Sequence, residues 1–341
     1  MGSARCGGTG YDGVIYVLTP TTSGYSENVV FRFPVSGPLG DQPGPIIRDS
    51  TGNVVGVSSA GIFEITHTGS GWQGSLLQAC APTKEFLNLN GAVSENGTTL
   101  YAACGQGIYR LDQSGSRYTS TLLYTFAGSA GTPQNNLVVL RSGAIFGTTY
   151  EGGANDIGSV FKLTRTASGY NLRVLHSFEP PSESTDGNTP GPGVFMDASG
   201  TLYGTTSSGG ADGLGTLYKM TPNPAGVQGY KYSINFAACS TPCGESPSET
   251  YPTGRPFVDS LGNVYFTTFG SSPSYGGVFE LEYSGGAYFP KTIHEFQQTD
   301  GAFPIGLFAD ASGTLYGAVQ WGGHCIMGSS PGCGGIFKVT L

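Results

Sequence analysis

GVFMDASGTLYGTTSSGG (193–210) sets two apolar, alternating runs on either side of DASG, and residues 306–323 repeat it almost letter for letter as GLFADASGTLYGAVQWGG. Apolar/polar alternation around a polar tetrapeptide closed by Gly is the pattern of a tight β-hairpin. Looser copies run through the chain: PIIRDSTGNVVGV, AVSENGTTLYAA, LVVLRSGAIFGTT and PFVDSLGNVYFTT. The closing glycines are Gly52, Gly97, Gly143, Gly200, Gly262 and Gly313. A turn of this kind needs a residue at positive φ, which Gly supplies without a steric cost. Asp49, Asp197, Asp259 and Asp310 enter four of the turns, where an Asp side chain can accept hydrogen bonds from the turn backbone.

A second motif recurs between the hairpins. An aromatic residue sits in a short alternating strand at Tyr16, Phe63, Tyr109, Phe161, Tyr218, Phe279 and Phe337, at spacings of 46 to 61 residues. Most copies lead through a polar turn into a further strand, as in VVFRF (29–33), LLYTF (122–126), VLHSF (174–178), SINF (233–236) and TIHEF (292–296). The unit is therefore four antiparallel strands: A and B form the hairpin, and C and D follow. Four-stranded units of roughly 50 residues, repeated along a chain, predict a β-propeller, here a single all-β domain over 1–341. Helical solenoids are excluded by the period-2 alternation, and two β-sandwiches would not reproduce one turn sequence throughout. The expectation is six blades, closed by pairing strands 25–33 with the C-terminal strands. One C strand is then left over, and seven blades are the alternative.

Composition agrees with a strand-rich fold. Of 341 residues 57 are Gly and 21 Pro, and 11% are charged. The net charge is −8 with no run of like charges. Such a chain has no basic footprint for nucleic acid or an anionic membrane. No apolar stretch approaches the roughly 20 residues that span a bilayer. The seven cysteines form no CxxC pair of the zinc-binding kind. Cys239/Cys243 and Cys325/Cys333 suit short-range disulfides, and Cys80/Cys104 a third, in an oxidising compartment. Cys6 is then the thiol left over, and with an unpaired terminal strand it is a candidate intermolecular contact. The plainer alternative is that all seven are reduced and buried.

The units, NTPGPGVFMDASGTLYGTTSSGGADGLGTLYKMTP (188–222) above all, resemble the GloVer tandem repeat of secreted and surface-anchored bacterial proteins. The shared pattern is LxxDASGxLYGTT…GG…GxxFKLT followed by a strand ending in SF. The units around 85–105 and 252–270 depart from it. The resemblance implies an extracellular propeller and assigns no catalytic residues.

Strand direction places the A–B and C–D turns at one end of each blade, and the B–C and D–A connections at the other. The second end carries the long loops (180–192, 237–251, 319–333) and is where binding or catalysis is expected. Its aromatic candidates are Trp321, Tyr150 and Phe269, with His324 beside Trp321, because an aromatic face stacks on the apolar side of a pyranose. The simpler alternative is that they cover blade ends. Catalytic candidates are His324, Glu151, Asp186 and Asp300; paired carboxylates could serve glycoside hydrolysis at separations of about 5 to 9.5 Å. Asp156, Asp212 and Glu245 lie on the same loops. His176 and His294 share one position on strand D, where Phe31, Tyr124 and Gln78 also occur, which reads as a structural slot. No P-loop, GxSxG or HExxH motif is present. No cofactor or metal is expected, and structural calcium finds no support in loop spacing. These readings point to an extracellular or cell-surface module binding a glycan or protein partner. The alternatives are a secreted polysaccharide hydrolase or lyase with its site at the same end, and a structural assembly module.

Overall fold

A computed structural model describes the chain except residues 5–12, 23, 35, 42, 81–98, 135, 181–184, 225–228, 238–250, 271–274, 298, 311–312 and 323–333. Among the described residues the regular structure is β-strand, with one 3₁₀ turn at Gly128–Ala130. The strands form seven small antiparallel sheets in chain order. The first holds β1 (Gly2–Ala4), β2 (Val14–Thr21) and β3 (Gly24–Arg32); the second, β4 (Ile46–Arg48), β5 (Val54–Ser58), β6 (Gly61–Thr68) and β7 (Gly71–Ala79). The third holds β8 (Thr99–Cys104), β9 (Gly107–Ser114) and β10 (Arg117–Thr125); the fourth, β11 (Val138–Val139), β12 (Ile145–Thr149), β13 (Ser159–Thr166) and β14 (Gly169–Ser177). In the fifth are β15 (Gly187–Pro190), β16 (Phe195–Met196), β17 (Leu202–Gly209), β18 (Thr216–Pro222) and β19 (Tyr230–Ala237). The sixth holds β20 (Tyr251–Val258), β21 (Val264–Phe269), β22 (Gly277–Ser284) and β23 (Ala287–Glu295); the seventh, β24 (Ala302–Ala309), β25 (Leu315–Trp321) and β26 (Gly335–Val339). The chain divides into two compact units, Met1–Gly147 with Lys162–Arg173, and Thr148–Phe161 with Val174–Leu341; the boundary runs through the fourth sheet.

Local chemistry explains the repeated letters. Gly on strand B faces the aromatic residue of strand C, as in Gly56↔Phe63, Gly204↔Tyr218 and Gly317↔Phe337. The ring lies across the glycine: a Cβ on Gly56 would stand 2.2 Å from Phe63 Cζ. The entering Asp does the work expected of it. Asp197 Oδ1 accepts from the Ser199 and Thr201 amides, both at 2.9 Å, and Asp259 and Asp49 repeat the arrangement. The Phe that ends strand D is buried in each copy (Phe33, Phe126, Phe178, Phe236, Phe296). Within each unit neighbouring sheets share apolar clusters. Tyr203 and Leu217 of the fifth pack with Val264 and Phe279 of the sixth, and Ile15 of the first packs with Val54 and Phe63 of the second. Full burial of each such side chain contributes about 1.5–3 kcal/mol.

Seven sheets are favoured over the expected six. Strand β3 pairs with β2, whose other neighbour is β1, a strand of three residues too short to show a pattern in sequence. Gly2 faces Tyr16 as Gly204 faces Tyr218, so β1 is a B strand. That strand gives the leftover C strand its own blade.

Candidate functional site

At the strand ends that carry the B–C and D–A connections, three rings of the sixth and seventh sheets form a stack. Phe269, the last residue of β21, lies parallel to Phe303 with centroids 4.2 Å apart and planes 14° apart. Phe303 in turn meets Trp321, the last residue of β25, edge to face at 5.2 Å and 77°. Phe269 and Phe303 are half-buried, whereas Trp321 is 50% exposed. The backbone accounts for the contact. Ala302 pairs with Trp321 and Pro304 with Val319, so ordinary alternation would put Phe303 on the face opposite Trp321. Phe303 instead has φ 57°, which turns its ring over. A non-Gly residue there costs about 1–2 kcal/mol. Thr189, also followed by Pro, makes the same step at φ 52°, so the fifth sheet shares the twist and the seventh sets an aromatic ring on it.

A polar pair stands beside the platform. His294 Nε2 lies 3.0 Å from Asp300 Oδ2, and the Gln297 amide donates to Asp300 Oδ1 at 2.6 Å. Side chains of His294 and Asp300 are 40% and 44% exposed. The chain following Asp300 packs against the chain following Trp321: a Cβ on Gly322 would stand 2.6 Å from Gly301 Cα. The carboxylate accepts, so Nε2 carries a hydrogen, and the other ring nitrogen, Nδ1, belongs to a side chain open to solvent. The His294 ring also sits edge to face on Phe296 at 4.8 Å, as His176 does on Phe178 at 4.9 Å and Tyr124 on Phe126 at 5.2 Å. The slot is therefore common to the repeat, and the carboxylate partner distinguishes the two histidines.

Asp186 belongs to a different arrangement. Only 5% exposed, it accepts from Tyr232 OH at 2.5 Å, His176 Nε2 at 2.8 Å and the Gly187 amide at 2.8 Å. His176 and Tyr232 stack with centroids 3.8 Å apart and planes 3° apart. Burial, then the hydrogen bond to Asp186, pushes the Tyr232 phenol far above its ordinary range, so it stays a donor. These groups satisfy one another and bracket β14 to β19. The carboxylate offers no open side to a substrate.

Tyr150 is half-buried and Glu151 exposed at the end of β12, in the fourth sheet, apart from the stack. Asp156 accepts from the Gly152 amide at 2.9 Å and shapes its own loop. His324, Cys6, Cys239, Cys243, Cys325, Cys333 and Glu245 lie outside the described residues. Cys80 and Cys104 form a disulfide with Cα atoms 5.7 Å apart. Sequence reading thus named Phe269, Trp321 and Asp300 without Phe303, which joins the first two. The signal for Phe303 was its place before Pro304, a slot that holds Thr189 in one sister blade and Tyr251 in another.

The seven sheets and their shared cores define an all-β, seven-bladed β-propeller. Solved structures bear this out at low identity. A catalytically inactive virginiamycin B lyase from Staphylococcus aureus with quinupristin matches at TM-score 0.56 and 14% identity, over 96% of this chain and 88% of that one. A protein from Lactobacillus plantarum matches at TM-score 0.59 and 13% identity, over 94% and 89%. Identities this low establish the fold alone. No curated protein matches. The Gloeobacter/Verrucomicrobia repeat model matches residues 62–249, and the chain belongs to that family.

Proposed function

We propose that this single-domain propeller is an extracellular module that binds a glycan through the strand ends bearing the B–C and D–A connections, with Trp321 as its platform. The observation that carries the reading is the buttressed stack, in which two half-buried Phe rings hold an exposed Trp in place. A rigid indole face loses little entropy on stacking against a pyranose, and Asp300 beside it can accept sugar hydroxyls. The Cys80–Cys104 disulfide supports an oxidising compartment. The test is affinity electrophoresis against a panel of neutral and acidic polysaccharides with wild type and Trp321→Ala. Loss of one stacking contact, about 1 kcal/mol, is expected to weaken binding at least about fivefold. Unchanged retention on every polysaccharide that binds would rule the platform out. Binding of a protein ligand alone would replace the glycan.

One observation favours a second reading, a carbohydrate-active enzyme: the exposed His294–Asp300 pair has the geometry of an oriented general base. New reducing ends from a bound polysaccharide, lost in His294→Gln while binding persists, would establish it.

A further inference from the structure

On strand β20 the register slips between Thr253 and Phe257, so Arg255 stands in a bulge. The bulge is wedged between neighbours. The Gly254 carbonyl accepts from Thr205 Oγ1 of β17 at 2.7 Å, and a Cβ on Gly254 (φ 71°) would stand 2.9 Å from the Gly306 amide of β24. The Arg255 guanidinium lies over the Phe195 ring, 5.2 Å from its centroid. Its Nε is buried and meets no acceptor, and among the described residues no carboxylate reaches it. By contrast Arg110 is paired with Asp112 and Lys291 with Glu280. A cation unpaired among the described residues is notable in a chain with 23 acidic and 15 basic residues.

The repeat itself asks for no cation here. Phe257, Phe195 and Phe308 occupy one register position, each opposite a Tyr of its B strand, and two residues earlier stand Arg255, Gly193 and Gly306. Two sister blades therefore fold with no side chain at this point. Burial lowers the Arg255 pKa, yet a guanidinium remains charged throughout the physiological range. A partly buried charge that meets no counter-charge among the described residues opposes folding, so its presence at a position where sister blades hold Gly favours a partner from outside.

We propose that Arg255 is an anion-receiving site, its two Nη groups forming the end-on fork that binds the carboxylate of an acidic sugar while the Phe195 ring backs the guanidinium. A planar carboxylate matches the fork with two parallel hydrogen bonds, which a spherical halide does not. The site does not depend on Trp321, and the two readings fail separately.

The experiment is thermal unfolding of the full chain titrated with glucuronate and galacturonate, against acetate, sulfate, phosphate, chloride and neutral glucose at matched ionic strength. The uronates should raise the melting temperature saturably, in wild type and in Trp321→Ala alike. Arg255→Gln should abolish the response while melting, unliganded, no lower than wild type. Arg255→Lys, which keeps the charge and loses the fork, should weaken binding about tenfold. No response to uronates, or the same response in Arg255→Gln, overturns the proposal. Equal stabilisation by sulfate and phosphate overturns the assignment to a carboxylate. An unliganded Arg255→Gln that melts lower and ignores anions would make Arg255 a packing residue.

Discussion

Replacing Asp186 with Ala separates a bracket from a catalytic group. The carboxylate takes three donors: His176 Nε2 at 2.8 Å, Tyr232 OH at 2.5 Å and the Gly187 amide at 2.8 Å. The imidazole, 18% exposed, can turn to water, but the phenol and the amide are enclosed. Each enclosed donor left without an acceptor costs about 1–3 kcal/mol, so Asp186→Ala should lose about 3 kcal/mol. At roughly 2.1 cal/mol/K per residue, 341 residues melting together unfold with about 0.7 kcal/mol/K, and the shift is about 4 °C downward. If only the unit holding the cluster melts, about half the chain, the shift doubles to about 8 °C. Calorimetry gives both the shift and the number of transitions. Tyr232→Phe should cost about 1 kcal/mol in wild type and be neutral or stabilising once Asp186 is gone, because its hydroxyl is already stranded. Tyr218→Phe is the internal control: that hydroxyl is buried beside the cluster without a partner, so its removal should leave stability equal or higher. An Asp186→Ala protein that melts within a degree of wild type and loses polysaccharide binding or turnover would refute the bracket and return Asp186 to the functional site.

Two further outcomes follow from the same coordinates. Glu64 is 1% exposed and neither carboxylate oxygen meets a donor in hydrogen-bond geometry, so burial, only partly offset by the Tyr118 backbone and Arg117, raises its pKa. A raised acid binds its proton more tightly folded than unfolded; its penalty is absent below the unfolded value and grows as pH rises through the folded one. Glu64→Gln should therefore be more stable than wild type at pH 7, with the gap closing towards pH 4 in urea titrations; a gap independent of pH would exclude this origin. The double variant Phe303→Thr, Trp321→Ser carries the residues of the fifth blade, Thr189 and Ser208, at the matching register positions. It should unfold within about 1 kcal/mol of wild type and lose glycan retention, whereas a collapse in stability would make the stack part of the core.

What could be read from the sequence was whatever is local. The hairpin turns follow from an Asp and a Gly three residues apart, and the blade repeat from a Gly facing an aromatic one strand away. Both signals lie within a few residues of the contacts they produce. Strand β1 was missed because Gly2-Ser3-Ala4 alternates nothing, and the blade count went with it. Contacts between blades were out of reach for another reason. Tyr232 of the fifth sheet stacks on His176 of the fourth, and Thr253 of the sixth meets Pro304 of the seventh across 51 residues. Each depends on how one sheet is registered against the next, which no single strand encodes. His176 and Asp186 were therefore both noticed, one as a structural slot and the other as a catalytic candidate, without the Tyr232 ring that joins them.

A repeat protein provides its own comparison, since each blade shows what its sisters can fold without. Positions that recur in most blades are accounted for by the fold: the Gly under an aromatic ring, the turn Asp, the terminal Phe of strand D. Departures divide by what surrounds them. His176 with Asp186 and Tyr232 departs from the pattern and is fully satisfied, each polar group meeting another, which is the mark of an added structural bracket. Trp321 in place of Ser208, Phe303 in place of Thr189 and Arg255 in place of Gly193 depart and are left incomplete: an indole half in solvent, a strained backbone carrying a ring, a cation with no anion among the described residues. Incomplete groups oppose folding or add nothing to it, and sister blades stand without them. Their concentration in the sixth and seventh sheets is what the proposed platform and the proposed anion site both rest on.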